Sequence, residues 1–396
     1  MQRTRLSIAM LAFASLAVAA SASAAQSDSF LGDWPTHHTF SDGTDLGIGG
    51  LYQYDVNDFS NDDGKLADAA TNRRKYLSVY LKKKGVYDAK VEFDFQSKKW
   101  QDVYLRLQSK GIFGKDFGAF RFGQSKTPVS LEGNTSSNAT TFIEIALPSQ
   151  AVYENRRVGV DWALSRPNWL AAFGYYGGDL QGDNDGRTLA GRLAWIPFNQ
   201  PGDVLHFGAT TSHESRDATT DGRGITSQAS ARFRSMPEAG LSPLYLVDSG
   251  TLKNVDHVDR YGLEGLWIRG PWSVQSEYLS AETRFDDGKP AYHVDGYYAF
   301  ASWVLTGESR PYSDGNVSNV VPSREWGAWE LAARYSSVDL NNGSVLGGQE
   351  HDWTVGLNWY LGKHLKFQAD YVRAFSDRKG LVLNPSIAEL RAQILF

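Results

Sequence analysis

The side chains of this chain with the clearest chemical potential are guanidinium and ammonium groups. Arg74, Arg106, Arg121 and Arg157 fall near the long polar stretch 125–156, and Lys126 and Arg156 stand at its two ends. A second basic stretch, Gly222–Pro237, carries Arg223, Arg232 and Arg234 without an acid. Around a narrow aqueous gap, such groups replace part of an oxyanion's hydration with charge-assisted hydrogen bonds. The same arginines would serve equally well as partners of acids or as solvated surface, and their spacing fits both roles. Covalent chemistry has little to work with. The chain has no cysteine, so no disulfide or thiolate centre forms. Its histidines (His37, His38, His206, His213, His257, His293, His351 and His364) show no H-x₃-H or H-E-x-x-H spacing on a helix, and no G-x-S-x-G occurs. The sequence offers no catalytic residue, metal ligand set or cofactor motif.

The elements that must hold these charges are strands. In the last eight residues, Leu390, Ala392, Ile394 and Phe396 share one face and Glu389, Arg391 and Gln393 the other, with Leu395 breaking the pattern. From Thr44 onward the same alternation recurs, most clearly at 86–95, where Tyr87, Ala89, Val91, Phe93 and Phe95 oppose Asp88, Lys90, Glu92 and Asp94. The chain is rich in aromatics, with 12 Trp, 19 Tyr and 20 Phe, yet its mean hydropathy is negative. Strands apolar on one face and polar on the other give that mixture when they wall off water from hydrocarbon. No later segment approaches a helical membrane span. The fold class expected is all-β: a transmembrane antiparallel β-barrel of about 16 strands with inward-folded loops.

Counting every alternating segment gives about 17 strands, an odd number that conflicts with both termini on one side. The weakest, 227–235, is therefore expected outside the wall, in a loop 213–258 lying in or above the lumen. Tight connections at 82–85, 165–168, 197–202, 269–271 and 362–364 mostly alternate with long ones at 55–72, 125–156, 177–187, 281–293, 338–350 and 376–387. The connection 306–325 becomes a long turn on the otherwise tight side. Trp162, Trp169, Trp195, Trp267, Trp272, and Trp359 with Tyr360 bracket the tight turns and are expected to form one interfacial girdle. Inward charges nearly balance: Arg74, Lys90, Arg106, Arg121, Arg157, Arg192, Arg260, Arg334, Lys366 and Arg391 face Asp88, Glu92, Asp94, Asp102, Asp161, Glu264, Glu277, Glu330, Asp352, Asp370 and Glu389. Selectivity must then come from their distribution around the loop 125–156, from which Arg391 is expected to lie far.

Residues 1–24 read as a secretory signal peptide, with Arg3 and Arg5, the apolar stretch Ile8–Ala20 and the site Ala22-Ser23-Ala24. Residues 25–43 follow as an N-terminal periplasmic segment and 44–396 as the barrel. The expected location is the outer membrane of a Gram-negative bacterium, with its lipid as one partner and the barrel-assembly machinery, reached through the C-terminal strand, as another. A net charge of −5 speaks against nucleic acid.

Several stretches together resemble the phosphate-selective porin O/P family over nearly the whole mature chain. They are Arg73-Arg74, Val91–Phe95, Phe122–Pro128, Thr141–Glu144, Arg156–Val160, Gly307–Tyr312 and Trp326–Ser336. The resemblance implies a homotrimer of 16-stranded barrels in which basic residues lead small anions such as phosphate to a narrow eyelet. By position, Arg73 and Arg74 match paired arginines near the eyelet. Lys126 and the serines Ser125, Ser136 and Ser137 match anion contacts, and Arg223, Arg232 and Arg234 match an entry ladder. Glu132 and Glu144 in the same loop, with the balanced wall, leave a weakly selective general porin as the alternative. A barrel enzyme such as an acyl hydrolase is the reading from another class.

Overall fold

The computed structural model describes residues 31, 34–220, 222–241 and 244–396. The expected signal peptide lies outside the described residues. Sixteen wall strands close one antiparallel barrel. They are β1 (Thr44–Ser60), β2 (Ala69–Lys83), β3 (Tyr87–Asp94), β4 (Lys99–Gln108), β5 (Ala119–Lys126), β6 (Arg156–Arg166), β7 (Trp169–Tyr176) and β8 (Arg187–Gln200). The circuit continues with β9 (Asp203–Ser215), β10 (Val255–Arg269), β11 (Trp272–Phe285), β12 (Tyr292–Val304), β13 (Ala328–Asn342), β14 (Val345–Leu361), β15 (Leu365–Arg378) and β16 (Ser386–Leu395). Two short strands, His37–Thr39 on β1 and Leu381–Leu383 on β15, extend the same sheet.

Closure is the physical reason for the alternation. A sheet in hydrocarbon can leave no backbone edge unpaired, so β16 returns to β1, from Leu51↔Leu395 to Ser60↔Ser386. On β16, Glu389, Arg391 and Gln393 are buried inward, while Ile394 is exposed outward. Phe396 seals the seam: its N–H donates to Gly50 O at 3.0 Å, and Gly50 N–H donates to Phe396 O at 2.8 Å. Its ring lies so close over Gly50 that a Cβ there would come within 2.3 Å of it. Deleting Phe396 should therefore lower the yield of SDS-resistant, heat-modifiable barrel several-fold on folding into lipid. An undiminished yield, read on a semi-native gel, would contradict this account of the seam.

The two ends of the barrel differ as the sequence suggests. Both ends of the circuit, at Thr44 and Leu395, share one rim with the tight turns 84–86, 167–168, 201–202, 270–271 and 362–364 and the long connection 305–327. The opposite rim carries 61–68, 127–155, 177–186, 216–254 and 286–291. The segment 227–235 is not a wall strand. Within 216–254 it forms short ribbons, Ser230–Ala231 with Leu252–Lys253 and Arg234–Ser235 with Val247–Asp248.

Two expectations need correction. The stretch 338–350 is no long loop, because β13 and β14 continue as a hairpin joined at 343–344, with Gly343 at φ +57°. Val338 and Leu340 turn inward there. They pack with Val258, Leu279 and Val294 against Leu147 and Phe233 of the inward loops, so the apolar face has changed sides. Nor do Trp359 and Tyr360 join an exposed girdle. Trp359 is covered by Trp329 and Phe367, at 5.4 and 5.3 Å between rings, and Tyr360 points inward to donate to Glu330 Oε2 at 2.6 Å. The exposed Trp272, stacked on Trp303 at 4.9 Å, and Trp169, directly opposite Trp195, lie beside the tight turns as expected.

Candidate functional site: a basic cavity between two inward loops

After Lys126 the chain leaves the wall and enters the lumen, where the wall's polar groups hold it. Glu277 of β11 accepts from the backbone N–H groups of Leu131 and Glu132, at 2.6 and 2.8 Å, and from Ser130 Oγ. Across the lumen, Asp370 accepts from Ile143 N–H at 2.7 Å. Carbonyls of Ser137, Asn138, Thr140 and Thr141 accept from Gln53, Gln393, Lys366, and Asn358 with Gln368. A buried loop needs such partners for its own backbone, and the inward charges of the wall supply them.

The second loop, 216–254, meets the first directly, with Met236 N–H donating to Gln150 Oε1 at 3.1 Å, and both are tied to the wall by one side chain. Arg334 of β13 donates through Nε to Glu238 Oε2 at 3.0 Å and through Nη1 to the Glu144 carbonyl at 3.0 Å, and lies 4.3 Å over the Phe142 ring. It also faces Glu132 at 3.4 Å. From the opposite rim, the connection 305–327 reaches in, and Arg310 donates to Thr141 Oγ1 at 2.6 Å and pairs with Glu330.

These segments leave a cavity of about 440 Å³, lined on its basic side by Arg73, Arg74, Lys126, Arg156 and Arg234. Consecutive strand residues normally face opposite ways, yet Arg73 and Arg74 both line it. The cause is a register shift on β2: Gln53 faces Arg74 and Tyr54 faces Asn72, leaving Arg73 as the extra residue of a bulge. Lys126 and Arg156 are directly opposite each other across β5 and β6, a like-charge pair that would be unfavourable without nearby acid. Arg156 has one, Asp102 at 2.8 Å.

Pairing divides the cations into two groups. Arg73 pairs with Glu144 at 2.9 Å and Arg156 with Asp102. Among the described residues, no ion pair includes Arg74, Lys126 or Arg234. Arg74 donates to Gln53 Oε1 at 2.8 Å, Lys126 Nζ to the carbonyls of Gly133 and Thr135 at 2.8 and 2.7 Å, and Arg234 stacks on the Tyr245 ring at 4.0 Å. The three lining acids are all engaged. Asp94 accepts from the N–H groups of Lys75 and Gln96, at 3.1 and 2.9 Å, and from Ser97. Glu132 accepts from Ala146 N–H and Ser149 Oγ, at 2.9 and 2.6 Å. Burial alone would raise the Glu144 carboxyl, but the guanidinium groups of Arg73, Arg74 and Arg391 hold it down at about 2, so it stays ionised and occupied.

The remaining candidates sit elsewhere. A cavity of about 200 Å³ shares Gln150, Tyr153 and Arg234 with the first and adds Arg232, which pairs with Asp248. Arg121 pairs with Asp161 at 2.9 Å, and the buried Ser125 Oγ lies 3.4 Å from the same acid. Arg106, half exposed, pairs with Asp88 at 2.7 Å. Arg157 is fully buried between Glu154 and Glu214, and Arg223 is exposed on its loop. Ser137 lines the main cavity. Arg391 is not far from the loop: it pairs with Asp55 at 2.6 Å while donating to the Ile143 carbonyl at 2.6 Å and meeting Glu144 at 3.2 Å. The loop crosses the whole lumen, which distance along the chain does not reveal. Sequence reasoning also missed Tyr153, a lining residue of the cavity whose hydroxyl is buried without a hydrogen-bond partner among the described residues. Its place in a long loop gave no periodicity to read.

Comparison with known proteins agrees with this architecture. Porin O of Pseudomonas aeruginosa is 27% identical over 378 residues, covering 84% of this chain and 83% of that one. The outer membrane channel DcaP of Acinetobacter baumannii superposes with a TM-score of 0.57 at 12% identity, covering 91% of this chain and all of that one. An anion-selective porin from Comamonas acidovorans gives 0.56 at 13%, covering 89% and 100%, and a trimer form of OmpT of Vibrio cholerae gives 0.56 at 12%, covering 89% and 99%. At such identities these structures speak for the fold. The model of the family "Phosphate-selective porin O and P" matches residues 46–396, and with its closed barrel, inward loops and basic cavity this chain belongs to that family of outer-membrane porins.

Proposed function

We propose that the chain forms a channel for passive diffusion of small anions, phosphate among them, selected at the cavity by Arg74 and Lys126. The observation that carries this reading is the pairing asymmetry: among the described residues three lining cations are in no direct ion pair, whereas each lining acid is already engaged. Guanidinium and ammonium groups are donors, which is the lining an oxyanion entering with reduced hydration requires. Arg234, shared by the two cavities, passes anions from the side of Arg232 towards Lys126. Arg73 and Arg156 set the local potential through their ion pairs. The exposed apolar belt meets membrane lipid, Phe396 presents the last strand to the assembly machinery, and three copies assemble as a homotrimer.

A weakly selective general porin is the second reading, favoured by the presence of Asp94, Glu132 and Glu144 in the same cavity. Planar-bilayer recordings separate the two. The proposal expects a reversal potential favouring chloride over potassium and a chloride current that falls as millimolar phosphate is added. Near-equal permeabilities with no phosphate block would establish the general pore instead.

A further inference from the structure

On the outer face of the wall, away from the lumen, β9 and β10 bring together three side chains that belong to no part of the anion path. His213 lies directly opposite Asp259, and His257 is two residues before Asp259 on the same face. The row sits one pair beyond the exposed Tyr261, towards the rim that carries 216–254. One donor atom from each of His213, His257 and Asp259 lies within 4.8 Å of the other two, and the imidazole rings are 4.9 Å apart.

The hydrogen bonding around His257 points to a cation. Its Nδ1 is 2.7 Å from Asp256 Oδ2, a carboxylate that fixes the proton on Nδ1. In the neutral ring Nε2 is then a bare acceptor, and it faces Asp259 Oδ2 at 3.4 Å. Two acceptors so placed favour a positive charge between them, either a proton or a metal ion. The other Asp259 oxygen meets His213 Nδ1 at 2.7 Å, so the carboxylate bridges both rings. Two imidazoles and a carboxylate, the outer imidazole braced by a second carboxylate, form a ligand set that suits a zinc-class ion. Ligand bonds of about 2.0–2.2 Å put tetrahedral donor atoms roughly 3.3–3.6 Å apart. Reaching that from the observed spread takes small rotations of partly exposed side chains.

We propose that His213, His257 and Asp259 bind one divalent transition-metal ion of the zinc class, oriented by Asp256, and that the ion cross-links β9 to β10 at the root of the loop 216–254. Imidazole donors favour zinc, nickel or copper over magnesium or calcium. The alternative occupant is a proton, which would make the cluster a carboxylate-bridged imidazolium pair.

The test is calorimetric titration of Zn²⁺ into the detergent-folded chain with any affinity tag removed. Absorption of the Co²⁺ form would report the coordination. One saturable site per chain is expected, with His213→Ala and Asp259→Asn each weakening it at least tenfold and Glu325→Gln, exposed on the opposite rim, leaving it unchanged. Each variant's heat-modifiability verifies that its barrel is intact. Absence of saturable binding to the wild-type chain, or equal affinity in a His213→Ala/His257→Ala double variant, would overturn the proposal and leave the proton as occupant.

Discussion

Replacing Arg74 and Lys126 together by Glu is expected to turn a pore that favours chloride into one that favours potassium. Both cations line the cavity and, among the described residues, neither is in a direct ion pair, so their charge acts on whatever passes. Two unit charges about 4 Å apart at an effective dielectric near 20 interact by roughly 4 kcal/mol. Desolvation of the ion offsets much of this, leaving about 1–2 kcal/mol, or roughly tenfold in preference. Reversing two such charges therefore carries the permeability ratio through unity, while Arg74→Gln/Lys126→Gln should bring it close to unity. Arg391→Glu is unsuited as a control, because Arg391 holds the loop at Ile143 and Glu144. Arg166, paired with Asp116 beside the turn 167–168, serves better, and Arg166→Glu should leave the reversal potential unaltered. A double variant that retained the wild-type reversal potential would place the selecting charges elsewhere.

Arg334→Ala should have the largest effect on the constriction itself. Arg334 is buried and joins both inward loops, holding Glu238 of one and the Glu144 carbonyl of the other. Removing it leaves Glu238, among the described residues, with the hydroxyls of Ser336 and Thr354. Breaking a buried pair by deleting one partner costs about 3–5 kcal/mol, because the remaining charge stays out of water. The sixteen-strand wall does not depend on that contact, so the cost falls on the docking of the loops. Single-channel conductance should rise and become noisier, and protease should cut within 127–155 or 216–254 while the barrel stays heat-modifiable. Unchanged conductance with protected loops would show that Glu277 and Asp370 suffice to hold the constriction.

How much of this was legible beforehand follows from the range over which each signal acts. Alternation with period two is local, and it marks which residues of a strand face water. It was enough for the barrel and for the exclusion of 227–235 by parity, and the length of the connection after Lys126 marked it as the inward loop. Alternation also marked Arg74 and Arg391 as inward, while Lys126 stood out by its place at the end of the loop 125–156. It could not separate Arg74 from Arg157, which carry the same charge on equally inward positions. Glu154 and Glu214 neutralise Arg157, and Glu214 is 57 residues away along the chain. The bulge that turns Arg73 inward is a property of pairing between β1 and β2, and no periodicity within β2 shows it. His213 and Asp259, 46 residues apart in sequence, become neighbours only because β9 and β10 pair in one register. Sequence alone determined the wall and the sign of the charges inside it. The tertiary structure decided which of those charges are spent on one another and which stay free, because that depends on distances across strands and loops that local order does not encode.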